Sequence, residues 1–388
     1  MSFDDRVNYA ESNMDNIRSC AEDPFAGERW WMSCEYPFQA LATCREIVRA
    51  IDSGDPSSYM SSLPVHMDGS CNGLQHYAAL GLDVVGGKAV NLIECDEPQD
   101  VYIGVMEEVI RRVDEEVSRT VTFDPSQNLS KREKDAMKRN KAAKLVYGSI
   151  DRGVVKRTVM TSVYGVTFIG ARNQIKEKIE EKLKEKGENV EEMEDEIYSA
   201  SSFLASVTME VMGDLFTGAR QTQNWLTDCA RLISSMGHPV AWVTPLGVPA
   251  IQPYRHKKLY SVRTILQRVS LALSNDDLPI HKSRQVSAFP PNYVHSLDAT
   301  HMLMTGMEMD KRGLTFTAVH DSFWTHASDI DEMNSVLRNC FVDLYSQPLL
   351  EELKKTWELR YPDLEFPPVP EKGDMDLRSV LNSSYFFQ

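Results

Sequence analysis

The 388-residue chain has no surplus of basic charge: 42 Lys and Arg stand against 57 Asp and Glu, a formal net charge of −15. Taken alone, that balance argues against a nucleic-acid partner, because phosphate binders carry basic surfaces. No run approaches the roughly 18 apolar residues of a membrane-crossing helix, so no membrane partner is expected. The seven cysteines are scattered and include no Cys-x-x-Cys pair, which excludes a ribbon- or finger-type zinc site and a disulfide framework. A GxxxxGK[ST] phosphate loop is missing too. There is no internal repeat and no Gly/Ser- or Pro-rich linker. The amino terminus, MSFDDRVNYAESNMDN, is acidic and lacks the Arg-rich, acid-poor composition of an organellar transit peptide.

What is present suits a globular chain: 42% hydrophobic and 26% charged residues, in a length that allows two or three domains. The charge is uneven. Residues 1–60 hold five basic and eleven acidic side chains and read as a helical lead-in. Residues 131–157 hold ten Lys/Arg against three acids, and 255–284 hold seven against two. Leu63–Met67 reads as a strand ending at Asp68, and helical spacing follows over Cys71–Leu82 and Pro98–Arg119. The basic window runs into an apolar helical stretch closed by Gly165. A charged helix is expected over Lys176–Glu196, then further helix over 199–236. Ala241–Val243, Val248–Ile251 and 259–272 suggest a small β-rich patch. Leu314–Ala327 reads as a hairpin with His320-Asp321 near its turn.

Three segments carry chemistry: LPVHMDGSCNGLQHYAALG (63–81), DRGVVKRTVMTSVYGVTFIGAR (151–172) and HDSFWTHA (320–327). A lone aspartate at a strand end is usually a turn or N-cap residue. Two of them, Asp68 and Asp321, each following an apolar strand, are what a two-metal phosphoryl-transfer site requires, because hard Mg²⁺ prefers carboxylate and phosphate oxygens. Arg152, Lys156, Met160 and Tyr164 recur at i+4, so on one helix they drift only ~40° per step and form a winding stripe. Two cations and an aromatic suit a triphosphate at one end and a base or sugar at the other. On spacing alone, an amphipathic surface helix is the plainer reading.

These segments resemble motifs A, B and C of the single-subunit, phage-type DNA-dependent RNA polymerases, the family that also transcribes mitochondrial and plastid genomes. Asp68-Gly-Ser-Cys-Asn-Gly-Leu-Gln-His-Tyr is similar to motif A, Arg152-x₃-Lys156-x₃-Met160-x₃-Tyr164-Gly165 to motif B, and His320-Asp321-Ser322-Phe323 to motif C. The likeness extends to WVTPLG (242–247), PPNYVHSLDATH (290–301) and the terminal Ser384-Tyr385-Phe386-Phe387, and its wording is closer to organellar than to phage enzymes.

The resemblance implies an α+β, mostly helical fold: palm and fingers of a right-hand polymerase, with a small antiparallel sheet carrying the catalytic aspartates. It implies palm with motif A over 1–120, fingers with motif B over 121–240, and a fingers/palm return with motif C and a carboxy-terminal foot over 241–388. By similarity, Asp68 and Asp321 hold two Mg²⁺ ions, with the Gly69 backbone beside them. Arg152 and Lys156 contact the incoming triphosphate, Lys156 among the catalytic groups. Tyr164 selects ribose over deoxyribose, and His295 lies near the hybrid minor groove or the substrate ribose. Tyr102, in DVYIGV, matches a position near the nucleotide pocket more loosely, and Phe386-Phe387 resembles the foot. The implied partners are DNA template, RNA transcript and NTPs, together with the amino-terminal polymerase half and transcription factors. The implied location is mitochondrial, with plastid as the alternative.

Family members are far longer, so the chain is expected to be a fragment, a truncated product or one piece of a split enzyme. The alternative function is a non-enzymatic remnant that binds nucleic acid or a partner polypeptide. DNA-synthesising palm polymerases fit less well, since they place a tyrosine after the motif A aspartate and an acid after that of motif C. Here Gly69-Ser70 and Ser322 stand in those places. A two-metal nuclease has only the shared carboxylate logic behind it.

Overall fold

In this computed structural model, residues 3–119, 131–185, 187–273 and 278–388 are described. The amino-terminal segment forms α1 (Phe3–Ser12), α2 (Met14–Glu22) and α3 (Pro37–Asp52), the last opened by a proline where no helical N–H bond is lost. Ile17, Cys20, Trp31, Cys44 and Val48 close a small apolar cluster of their own, apart from the main core.

The apolar run after Leu63 becomes β1 (Pro64–Asp68), followed by α4 (Asn72–Gly81), α5 (Val84–Ala89) and α6 (Val101–Ser118). In α6 the period is plain: Val101, Val105, Val109 and Val113 are buried, while Arg111 and Glu115 stay exposed. The basic window is divided between α7 (Lys131–Val146) and α8 (Arg152–Ser162). Gly148 at φ +69° interrupts the chain between them, and the Asp151 carboxylate caps α8 by accepting from the Val154 N–H at 3.0 Å.

Next come α9 (Phe168–Glu185), α10 (Glu194–Leu215) and α11 (Thr217–Ser235). The charged helix expected over 176–196 is therefore the end of one helix and the start of another. Gly187 at φ +76° and a 3₁₀ turn over Val190–Met193 separate them. The expected boundary between residues 120 and 121 lies outside the described residues.

The expected β-rich patch is two separate hairpins. β2 (Ala241–Val243) pairs with β3 (Pro249–Ile251), and β4 (Lys258–Arg263) with β5 (Arg268–Leu273). Beyond them α12 (Lys282–Lys311) holds Pro290 and Pro291 in its interior, leaving the carbonyls of Val286 and Ser287 without their helical donors. The helix persists because Phe289, Tyr293, Val294 and Leu297 are buried, with Phe289 against Trp242 and Trp357.

Near the carboxy terminus, β6 (Thr317–Val319) and β7 (Ser322–His326) form the expected hairpin, with α13 (Ile330–Tyr345) and α14 (Leu349–Arg360) behind it. The sheet order is β1-β7-β6, antiparallel throughout, with Met67 opposite Phe323 and Asp68 opposite Ser322. The last residues continue the sheet on the free side of β1: Asp68 and Gln388 exchange backbone bonds of 3.2 and 3.0 Å, and Gly69 bridges Phe387. Behind this edge Phe323, Phe341, Phe386 and Phe387 pack around the ring of His301. The architecture is mostly helical α+β with small antiparallel sheets. Among the described residues no helix is long and apolar enough to cross a membrane.

Two measurements test this core. Phe387 is almost fully buried against Phe323 and Phe386, so Phe387→Ala should cost about 3–5 kcal/mol in urea unfolding. A loss below about 1 kcal/mol would show that the tail does not dock as described. His301 is wholly buried, and burial, reinforced by the charge of His76, pushes its pKa from 6.5 down to about 4. The unfolded chain therefore takes up this proton first as pH falls, so stability should decline from about pH 6.5 towards about pH 4. His301→Gln should flatten the decline, measured as urea midpoints across that range; an unchanged slope would place its origin elsewhere.

Candidate active site

Strand alternation decides where the first aspartate lies. Met67 and Phe323 face each other and are buried, so Asp68 and its partner Ser322 fall on the opposite face of the sheet. Asp321 is the second of the two turn residues joining β6 to β7, and its carbonyl accepts the Gly69 N–H at 3.4 Å. His320, just before it, sits in the left-handed region at φ 55°, an uncommon and costly conformation for a residue with a Cβ. The two carboxylates thus share one corner of the sheet. Burial pushes the pKa of Asp321 up, and the negative charges of Asp298 and Asp68 push it the same way. A cation placed there would relieve that repulsion.

Two glycines of the same segment are there for space. A Cβ on Gly69 would lie 2.8 Å from Gln75 Oε1, on a side chain whose Nε2 donates to the carbonyls of Val90 and Phe386 at 2.9 Å each. A Cβ on Gly73 would lie 2.5 Å from Val163 Cγ1. Gly73 therefore lets α4 touch the turn that follows α8.

That turn corrects one expectation. The helix ends at Ser162, and Tyr164 lies beyond it, in a turn closed by Gly165 at φ +73°. Tyr164 is thus off the helical stripe of Arg152, Lys156 and Met160. It is held instead by the His295 ring of α12, whose centroid is 4.6 Å away. Burial raises the Tyr164 pKa, helped by the charge of Asp321. Burial lowers that of His295 against the opposing pull of Asp298. Motif B, α12 and the aspartate corner therefore meet at one place.

At the other end of α8, Arg152 and Lys156 share one aromatic partner. The Arg152 guanidinium lies 4.9 Å from the Tyr102 ring centroid, and Lys156 Nζ lies 5.9 Å from it. Tyr102 had the weakest sequence signal of the residues singled out, yet the structure seats it beneath both cations and beside the Cys71 thiol at the start of α4. Arg152 Nε also donates to Asp100 Oδ2 at 2.9 Å.

Comparison with known proteins fits this geometry. The family model for DNA-dependent RNA polymerase matches residues 1–364. The chain belongs to the DNA-dependent RNA polymerase family. Over 387 residues it is 46% identical to DNA-directed RNA polymerase 1, mitochondrial, of Nicotiana sylvestris, and 46% identical to DNA-directed RNA polymerase 3, chloroplastic, of the same plant. It is 43% identical to DNA-directed RNA polymerase 2, chloroplastic/mitochondrial, of Arabidopsis thaliana. All of this chain is covered in each case, but only 36–38% of each relative's length.

Two residues in contact with this set are absent from the sequence reading: Asp100, which pairs with Arg152, and Asp298, beside His76. Asp298 lies one turn beyond His295, and its Oδ1 is 3.4 Å from His76 Nε2, near enough to pair but outside good hydrogen-bond geometry. Burial alone would raise its pKa, but the contacts of His76 and Asn72 outweigh that and hold it at about 2. Both residues had a faint signal: Asp298 stands three after the singled-out ring of His295 in VHSLD, and Asp100 two before that of Tyr102 in DVY. A cavity of about 420 Å³ lies behind the Tyr164 turn, lined by Leu74, Tyr77, Val163, Gly165 and Phe168. None of Asp68, Asp321, Arg152 or Lys156 lines it, so this cavity is separate from the corner that holds the two aspartates.

Gly73→Ala tests the contact that seats Tyr164. The added methyl must displace Val163, which should cost about 1–3 kcal/mol and disturb the adjoining Tyr164–His295 pair. Unchanged urea unfolding together with unchanged His295 imidazole NMR shifts would refute it.

Proposed function

We propose that this chain is the catalytic region of a DNA-directed RNA polymerase, extending the RNA 3′ end from NTPs on a DNA template. The observation that carries the reading is the single corner at which Asp68 and Asp321 meet Tyr164 and His295, with Arg152 and Lys156 on the adjoining helix. Asp68 and Asp321 would hold two Mg²⁺ ions, with the Gly69 backbone alongside. Among the described residues no group of three or more His, Cys, Asp or Glu side chains could hold a metal, so phosphate oxygens and water would complete the coordination. Bound there, such ions lower the pKa of an attacking hydroxyl and offset charge on the departing oxygen.

The RNA 3′ oxygen would bond to the α-phosphorus and lose its proton to solvent, while the bond to the β-phosphate oxygen breaks and pyrophosphate leaves. Arg152 and Lys156 would neutralise the charge that develops on the triphosphate. Tyr164, steadied by His295, would lie against the ribose and favour a 2′-hydroxyl. In this reading β1 and the β6–β7 hairpin belong to the palm, α7–α11 to the fingers and Phe386-Phe387 to the foot. The exposed β4–β5 hairpin interleaves Lys258, Arg263 and Arg268 with Tyr260 and the solvent-facing Ile265 and Leu266, as suits contact with nucleic-acid phosphates and bases. The working location would be mitochondrial, or plastid, as the names of the relatives divide.

A primed DNA template, Mg²⁺ and NTPs should give RNA extension, reduced by about 10²–10³-fold or more in Asp321→Asn. The share of its relatives that the chain spans favours one other reading, a nucleic-acid-binding portion that acts only with further polymerase sequence. Salt-dependent binding to the template without extension, restored to synthesis by adding the remaining portion of a relative, would support that reading. Neither binding nor extension would overturn both.

A further inference from the structure

Asp100 does two jobs with one carboxylate. Its Oδ1 accepts from the Tyr102 and Ile103 N–H groups at 2.9 and 3.2 Å, capping α6. Its Oδ2 accepts from Arg152 Nε at 2.9 Å, tying the start of α6 to the start of α8. The same Arg152 guanidinium lies over the ring of Tyr102, whose backbone Asp100 caps. The guanidinium is thereby fixed on two sides: its Nε edge by a carboxylate and its face by an aromatic ring. The edge formed by Nη1 and Nη2 has no hydrogen-bond partner among the described residues. Two parallel N–H groups in one plane make the fork that matches phosphate oxygens.

We propose that Asp100 is a positioning residue for nucleotide binding: it clamps Arg152 through Nε so that the free Nη1/Nη2 fork meets the triphosphate. The inference rests on the polymerase reading, in which Arg152 faces the nucleotide, and adds the group that aims it. Both side chains are partly exposed, at 43% and 31%, so the pair contributes little to folding. Its effect is to spare Arg152 part of the ordering that binding would otherwise demand. A carboxylate on Nε also keeps Arg152 from turning that edge towards the phosphate and losing the two-pronged contact.

Asparagine caps helices as well as aspartate does but carries no charge, so Asp100→Asn separates the two jobs. The test is equilibrium dialysis of the full chain with radiolabelled ATP, Mg²⁺ and a template whose primer ends in a 3′-deoxynucleotide, which blocks chemistry. Asp100→Asn should leave the melting midpoint unchanged and weaken ATP binding about three- to fivefold, the scale of one exposed ion pair. Asp100→Ala should lose the cap as well and melt earlier. In an Arg152→Ala background, Asp100→Asn should have no further effect on ATP binding, an outcome that a purely structural role for Asp100 would not give. Equal ATP affinity in wild type and Asp100→Asn, or an equal loss with and without Arg152, would overturn the proposal. Failure of the wild-type chain to retain ATP would instead overturn the polymerase reading, and this inference with it.

Discussion

The antiparallel pairing of β1 with β7 is the constraint on which the rest of the molecule depends. It joins a segment near residue 65 to one near residue 325, and it sets Asp68 beside the turn that carries Asp321. A slip of one residue would exchange the two faces of the strands, sending Asp68 towards the buried side and Met67 out of it. Met67 and Phe323 make that slip costly, since both are buried, and the tail pairing with Asp68 and Gly69 locks the same register from the other side. The apolar core beneath the sheet and the carboxylates above it are consequences of one alignment.

Around that alignment the protein places charge locally. A total of −15 says little about local charge, because acidic and basic side chains are gathered in different parts of the chain. Burial and neighbouring carboxylates raise the pKa of Asp321, which marks a corner short of positive charge. Asp298 stays ionised beside it because His76 and Asn72 hold its carboxylate. One turn along α12, His295 supports Tyr164. The helix carrying these residues contains two prolines, and it is tertiary packing of Phe289, Tyr293 and Leu297 that keeps it helical.

Much of this is legible in the sequence. β1 and the β6–β7 hairpin were readable because a short apolar strand ending in polar turn residues leaves few alternatives, and α6 because valine recurs every fourth position. The reading failed where a local interruption outweighed composition. The charged stretch over 176–196 keeps helix-forming residues throughout, but Gly187 ends the ladder, and the basic window breaks at Gly148. Tyr164 kept its four-residue spacing in sequence and lost it in space, because α8 stops two residues earlier. Helix α12 went unread since Pro-Pro ordinarily ends a helix.

By itself, the sequence determined the kinds of groups this protein brings to its site: two aspartates at strand ends, Arg152 and Lys156 on one helix face, and Tyr164 and His295 in long motifs. It also determined family membership, because those motifs occur in order across nearly the whole chain. Only the tertiary structure decided which groups touch. Tyr102 lies beneath Arg152 and Lys156, Asp100 grips Arg152, and the last residue pairs with Asp68. Periodicity reports the environment of a residue along its own helix or strand, whereas these contacts join elements distant in sequence. Their geometry follows from how the sheet closes and the core packs, which no local pattern encodes.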